Sequence, residues 1–464
     1  MTVTDTDRHA LRVPVESGVT IDPFALAGPH GIVFHSGTSV RVGLGVAFTV
    51  DLPSGLDSPD EVTAAGDALA SVAVEDRMDR GRLPDGDDGR GGVLGFGALP
   101  FDRSAPATLV VPEVLYGSDG VGSDGVGSEW VTVIGSPPVR IPTDPAGLRS
   151  WLLERVARAP VDRAGPGTRP PLVIPRSSDD DFRSMVTRAL RAIDHGDLSK
   201  VVLARQVDVT MGRAVDIVDL LRRWQGLEPT CTVFSVPTSE GQFVGASPEL
   251  LVDRDGPRVH CRPLAGTTGR AADAQIGRLP GGLLGSVKDG NEHRLVVEAI
   301  EAALAPLSAM LQVPTHPGLV HLHNITHLGT DIVATLAERP DGTVPTALDL
   351  VAALHPTPAV GGVPAAPARA LIEALEPVDR GHYAGPVGYL DGGGNGTWML
   401  GIRSVSVRGA SARLAAGVGI VEGSDPESEL AETNLKLKAA FDALAPGTTF
   451  STGSTGSTRH EAVG

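Results

Sequence analysis

Residues 383–421, YAGPVGYLDGGGNGTWMLGIRSVSVRGASARLAAGVGIV, decide the fold class. Three runs in this stretch have strand character: YAGPVGYLD (383–391), TWMLGIRSVSV (397–407) and ARLAAGVGIV (412–421). DGGGNG turns the chain between the first two. Upstream, VVLARQVDV from Val201 predicts another strand, then DIVDLLRRW a helix, then CTVFSV, QFVGAS, ELLVDR and RVHCRPLAG four more strands. A helix is well specified from Asp180, with acidic residues at its start, Phe182, Met185, Val186, Leu190 and Ile193 on one face, and Gly196 as its stop. Further helices are expected over Glu292–Leu304, Thr346–Leu354, Ala365–Leu375 and Ser428–Leu444. Hairpins alternating with helix groups predict α+β with largely antiparallel sheets, not a doubly wound parallel fold.

A chain of 464 residues, 41% of them hydrophobic, can bury a large core. Its net charge of -17 argues against a nucleic-acid surface or an anionic membrane as partner. The start, MTVTDTDRHALRVP, has no apolar signal core, and no uncharged apolar run is long enough to span a bilayer, so a cytoplasmic location is expected. Cys231 and Cys261 have no metal-type spacing and read as structural thiols. Catalytic character concentrates in residues 180–445, with an N-terminal part over 1–157 and a proline-rich linker over 158–179. GSDGVGSDGVGSE (117–129) reads as a surface loop, and the Ser/Thr/Gly-rich tail 446–464 as disordered.

Two acidic pairs stand out: Asp289/Glu292 in KDGNEH and Glu429/Glu432 in PESELAET. On a helix, residues three apart share a face, so each pair can aim two carboxylates at one point and the four could hold a hard divalent cation. Taken alone, each pair is the ordinary acidic start of a helix. In the last helix, Leu430, Leu437, Phe441 and Leu444 form an apolar stripe, while Glu429, Glu432 and Lys436 cluster on a different face. Lys200 opens one strand and Glu249 follows another. A lysine whose proton is driven off could act as a base and a glutamate that keeps its proton as an acid, although for either residue alone a surface ion pair is the commoner outcome. Gly417 and Gly419 permit close backbone approach to an anion. Arg403 and Tyr383 offer an anion contact, and His327 a hydrogen-bond donor to a ligand.

In order, SKVVLAR, GASPEL, CRPLAGTTGR, KDGNEH, ITHLGT, LHPTPAVGGVP, HYAGPVGYLD, GIRSV, AAGVGIV and PESELAETNLKLK resemble the chorismate-utilising enzymes, and among them the isochorismate synthases. The resemblance runs from Asp180 to about Leu444, and GFGALPFD (95–102) is similar to the corresponding N-terminal part. It implies one large α+β domain over 1–445, with two mainly antiparallel sheets in a sandwich flanked by helices and the active site between them. It also implies Mg2+ and chorismate, no glutamine amidotransferase subunit, and a monomer. Carried over by position, Glu292 and Glu432 are direct metal ligands and Asp289 and Glu429 an outer pair; Asp289 stands where many relatives have Glu. Lys436, Thr267 and the Gly417/Gly419 backbone help hold the C1 carboxylate of chorismate, and Tyr383 and Arg403 the enolpyruvyl carboxylate. Lys200 deprotonates the attacking water and Glu249 protonates the departing hydroxyl. Ala359, after the HPT run at His355 to Thr357, stands where lyase members and ammonia users commonly carry Thr. It favours an enzyme that stops at isochorismate over a salicylate synthase or a non-catalytic chorismate-binding homologue.

Overall fold

The computed structural model describes residues 9–16, 20–37, 39–77, 92–119, 128–135, 141–158, 170–269 and 281–450. The Val-rich run Lys200–Thr210 is buried along nearly its whole length, which suits a strand covered on both faces. It pairs residue for residue with Ser411–Val421, from Lys200 opposite Val421 to Thr210 opposite Ser411. From this pair a thirteen-strand sheet extends one way to Leu172–Pro175. The other way it runs through Ser404–Arg408, Gly241–Ser247 and Thr232–Thr238 to N-terminal strands such as Ile32–Ser36 and Val114–Asp119. A nine-strand sheet contains Leu250–Asp255, Gly396–Leu400, Pro386–Asp391 and, from the N-terminal part, Leu94–Ala98. Leu264–Gly269, Ile325–Gly329 and Gly318–His321 make a three-strand sheet that the sequence reading did not anticipate. Among the described strands the pairings are antiparallel, except for His9–Pro14 with Ala73–Asp76.

Where the two large sheets meet, the core is aromatic. Phe34, Phe234 and Phe243 from the first sheet pack with Phe96, Val387, Tyr389 and Met399 from the second. Phe34 meets Tyr389 edge-on at 5.3 Å between ring centroids, one of the arrangements aromatic pairs prefer. The outer face of the first sheet is covered by helices, notably Ile217–Leu227 and Pro426–Leu444.

Helix positions follow the sequence reading closely. The first of them spans Asp179–Asp194, started by a capping box of Ser178 and Asp181 that satisfies two otherwise orphaned backbone donors. Its buried face is Phe182, Met185, Val186 and Ala189; Leu190 and Ile193 lie at the edge. The other expected helices are Ile217–Leu227, Val287–Leu304, Ala347–Leu354, Ala365–Leu375 and Pro426–Leu444, while Pro59–Ala70 and Pro145–Arg158 in the N-terminal part were not anticipated. No described helix is long and apolar enough to cross a membrane.

Several boundaries are corrected. TWMLGIRSVSV is not one strand: Gly396–Leu400 belongs to the nine-strand sheet and Ser404–Arg408 to the thirteen-strand sheet, with the break at Gly401–Arg403. RVHCRPLAG likewise divides at Pro263, which has no N–H to continue a ladder, and YAGPVGYLD becomes strand only at Pro386. The expected linker 158–179 includes an edge strand, Leu172–Pro175, bonded to Val207–Thr210; 159–169 lie outside the described residues. The expected loop 117–129 contributes to two strands, with Gly117 opposite Trp130; 120–127 lie outside the described residues. Of the expected tail, 451–464 lie outside, and Phe450 packs on Phe441 at 5.1 Å.

Candidate active site

A two-stranded ribbon carries two of the expected residues from one sheet into the other. Gly241–Ser247 and Ser404–Arg408 pair in the first sheet, and their continuations Leu250–Asp255 and Gly396–Leu400 pair again in the second. Glu249 sits on one crossing and Arg403 on the other. The crossings are tied together: Ala246 N–H donates to Arg403 O at 3.1 Å, Ser247 Oγ to Leu400 O at 2.6 Å and Leu400 N–H to Glu249 O at 3.1 Å. Arg403 adopts φ 51°, a left-handed conformation that costs a non-glycine residue about 1–2 kcal/mol and that turns the chain out of its strand.

One cavity beside this ribbon is lined by Glu249, Thr267, Glu292, His327, Ala359, Tyr383, Arg403, Gly417, Gly419, Glu432 and Lys436. Eleven expected residues separated by up to 187 positions thus meet at one place. Lys200, Asp289 and Glu429 stand behind the wall. Lys200 is fully buried, and its Nζ lies 3.0 Å from Glu292 Oε1. The contact explains Gly419: a Cβ there would come 2.1 Å from Glu292 Oε1 and 2.9 Å from Lys200 Cε. Gly419→Ala therefore displaces the Glu292 carboxylate. The expected result is a loss of about a hundredfold in kcat/KM with the fold intact by circular dichroism, since a shift of about 1 Å at a reacting centre has that effect. Unchanged kinetics would show that this contact is not part of the working site.

Glu249 is buried, and burial pushes its carboxyl up to about 8, against smaller opposing effects of the Leu264 N–H, Lys200 and Lys436. It accepts from Leu264 N–H at 3.3 Å. Arg403 presents the opposite situation. Both of its terminal nitrogens are buried and meet no hydrogen-bond acceptor among the described residues. A guanidinium buried without acceptors is costly, and a bidentate anion would satisfy it. Tyr383 lies close by; a Cβ on Gly417 would be 3.3 Å from its hydroxyl, and burial pushes that hydroxyl up to about 12. Lys436 Nζ donates to Gly417 O at 2.9 Å and pairs with Glu432 at 2.7 Å.

His327 requires a correction. Its Nδ1 lies 3.0 Å from Gly266 O and 3.2 Å from Thr267 Oγ1. A carbonyl only accepts, so the Nδ1 proton is committed to it. Burial first, then Arg403 and Lys436, push the imidazole down to about 3. The ring is therefore neutral, and Nε2 is left as an acceptor where donation was expected.

The four metal-ligand candidates lie on two helices, Val287–Leu304 and Pro426–Leu444, the first of which begins before the expected Glu292 and so also carries Asp289, but they do not form a ready-made metal centre. Among the described residues no three His, Cys, Asp or Glu side chains converge in ligating geometry. Each carboxylate is turned to another partner: Glu292 to Lys200, Glu432 to Lys436, Glu429 to Lys288 at 2.6 Å, and Asp289 to the Ser286 hydroxyl at its helix cap. Burial pushes Glu429 and Asp289 upward. It acts on Glu432 too, but Lys436, Lys288 and Thr267 outweigh it and leave that carboxyl below its ordinary range. The donor set suits a hard cation. An ammonium already lodged among these oxygens shows that the surroundings tolerate positive charge there.

Residues 162–445 match the family of chorismate binding enzymes. The chain belongs to that family. A Mycobacterium tuberculosis relative of this family, with a provisional isochorismate synthase name, is 38% identical over 432 residues, covering 91% of this chain and 96% of that one. The isochorismate synthase DhbC of Bacillus subtilis is 35% identical over 364 residues, covering 77% and 82%. Among solved structures of the family, a Bacillus anthracis protein with a provisional name as a 2,3-dihydroxybenzoate-specific isochorismate synthase superposes with TM-score 0.70 at 31% identity, over 90% of this chain and 96% of that one. The menaquinone-specific isochorismate synthase MenF of Escherichia coli has the same fold, with TM-score 0.71 at 24% identity over 94% and 95%.

Two residues that sequence reasoning passed over also stand at this site. Lys288 was quoted within KDGNEH but given no role; its partner Glu429 is 141 positions away, so no local pattern marks it. Arg380 lines the cavity and grips Glu376. It also donates to Val360 O at 2.7 Å and Val202 O at 2.8 Å, tying the loop that carries Ala359 to the strand that carries Lys200.

Proposed function

We propose that this protein is a Mg2+-dependent isochorismate synthase that converts chorismate to isochorismate and stops there. The observation that carries the reading is a buried carboxylic acid, Glu249, kept protonated to about pH 8, in the same site as a buried lysine. Chorismate loses its C4 hydroxyl as water attacks C2, so one group must give a proton and another must take one. Lys200 takes the proton of the attacking water. As the C2–O bond forms, both ring double bonds shift by one position and the C4–O bond breaks, and Glu249 protonates the departing hydroxide, which leaves as water. Atoms balance without an external oxidant or reductant.

Mg2+, when bound, supplies positive charge that orients and neutralises the C1 carboxylate. Glu292 and Glu432 would hold it directly, with Asp289 and Glu429 behind them. Lys436, Thr267 and the Gly417/Gly419 backbone position the same end of the substrate. Arg403 and Tyr383 hold the enolpyruvyl carboxylate. Arg403→Gln is expected to weaken chorismate binding about 30- to 100-fold, the value of a charge-assisted bidentate contact, with a smaller effect on kcat. Equal affinity by titration calorimetry would remove Arg403 from the binding set.

His327, as an acceptor at Nε2, suits a substrate hydroxyl. Ala359 leaves the loop after His355 without the hydroxyl that Thr would bring, which favours release of isochorismate over elimination of pyruvate. The deciding experiment incubates the purified protein with chorismate and Mg2+ and follows isochorismate and pyruvate together. Isochorismate without pyruvate is the expected result; stoichiometric pyruvate and salicylate would make the enzyme a salicylate synthase, and no turnover a binding homologue.

A further inference from the structure

The acidic cluster contains more cation than the chemistry needs. Lys200 has a role as base and Lys436 as a contact to the substrate end, yet a third lysine, Lys288, sits among the same carboxylates. Its Nζ is 2.6 Å from Glu429, and Glu292 and Glu432 act on it electrostatically as well. The three lysines are not equivalent. Lys200 is enclosed, with no exposed surface, at the start of the central strand. Lys436 is held at two points, by Glu432 and by Gly417 O. Lys288 stands in the first turn of its helix with about a third of its side chain in solvent (32%) and one short contact to hold it. It alone can withdraw into water on a flexible stem without breaking other structure.

Glu429 explains why such a group is present. Its side chain is 2% exposed, and an ionised carboxylate buried to that extent needs a counter-charge whether or not a metal is bound. We infer that Lys288 is a resident counter-ion, which occupies the acidic cluster in the metal-free protein and is displaced when the divalent cation enters. Lys288 thus sets the affinity for Mg2+ without being a ligand. Metal binding must first break the Lys288–Glu429 pair, and the metal-free fold is protected from its own buried charge. This inference rests on the assignment of the acidic cluster as the Mg2+ site.

The test needs no turnover. Wild-type protein, Lys288→Gln and Lys288→Arg are stripped with chelator, dialysed and titrated with MgCl2 by calorimetry, and their melting temperatures are measured in EDTA and in saturating MgCl2. Lys288→Gln is expected to bind Mg2+ at least tenfold more tightly than wild type and to melt lower in EDTA, so that its Mg2+-induced rise in melting temperature is larger. Lys288→Arg, which keeps the charge, should stay within about threefold of wild type. A Lys288→Gln protein that folds only with Mg2+ present, by circular dichroism, gives the same answer through stability. Unchanged or weaker Mg2+ binding by Lys288→Gln, with wild type binding normally, overturns the counter-ion role alone. Wild-type protein that binds no Mg2+, with or without chorismate, overturns the metal-site assignment and this inference with it.

Discussion

Glu249→Gln is expected to lower the rate of isochorismate formation by about a thousandfold while leaving chorismate affinity within a few-fold of wild type. Gln preserves shape and burial but cannot protonate the leaving hydroxide. The same substitution has a second, independent signature in stability. Burial raises the Glu249 carboxyl from its ordinary 4.5 to about 8, so between those values the folded protein keeps a proton that the unfolded chain has released. Stability from this group is therefore fully present below about pH 4.5 and is lost as pH rises toward 8, a change on the order of 4 kcal/mol for a shift of this size. Gln has no such linkage. Urea unfolding at pH 5 and pH 8 should show wild type losing stability across the interval and Glu249→Gln losing much less. Parallel profiles for the two proteins would mean that Glu249 is ionised in the native state and cannot be the acid. The rate in wild type should fall above about pH 8, as the acid loses its proton.

Lys200→Met should cost about a thousandfold or more in kcat, because it removes the group assigned to take the proton of the attacking water. The lysine also contacts Glu292 at 3.0 Å in a buried position, so the variant loses stability as well, by about 3 kcal/mol. The two effects separate experimentally. Single-turnover assays well below the melting temperature report the chemical step, and denaturant unfolding reports the lost pair. If Lys200→Met turned over chorismate at the wild-type rate when folded, the base would have to be sought elsewhere.

The local chemistry of this protein was largely legible. The helix over Asp179–Asp194 follows from its acidic start, its capping box and its apolar spacing, all properties of neighbouring residues. Both acidic pairs fell on helices, as their spacing required. The strand TWMLGIRSVSV was read as continuous because both halves are buried and apolar, and a residue's periodicity does not say which sheet it joins. The break is at Arg403, whose left-handed backbone would have been legible in a glycine but is hidden in an arginine. His327 was misjudged for a related reason. Which nitrogen of a histidine carries the proton depends on Gly266 O, which its own strand neighbours do not reveal.

By itself, then, the order of motifs determined the family, the α+β class, the helices and the residue types available for proton transfer and anion binding, because these depend on side-chain identity and on spacing of a few residues. Only the tertiary structure decided that the ribbon bearing Glu249 and Arg403 changes sheets, that burial keeps Glu249 protonated, and that three lysines stand against the acidic cluster. Charge and protonation of buried groups are set by what lies within a few ångströms, and in this site those neighbours come from segments as far apart in sequence as Lys200 and Lys436.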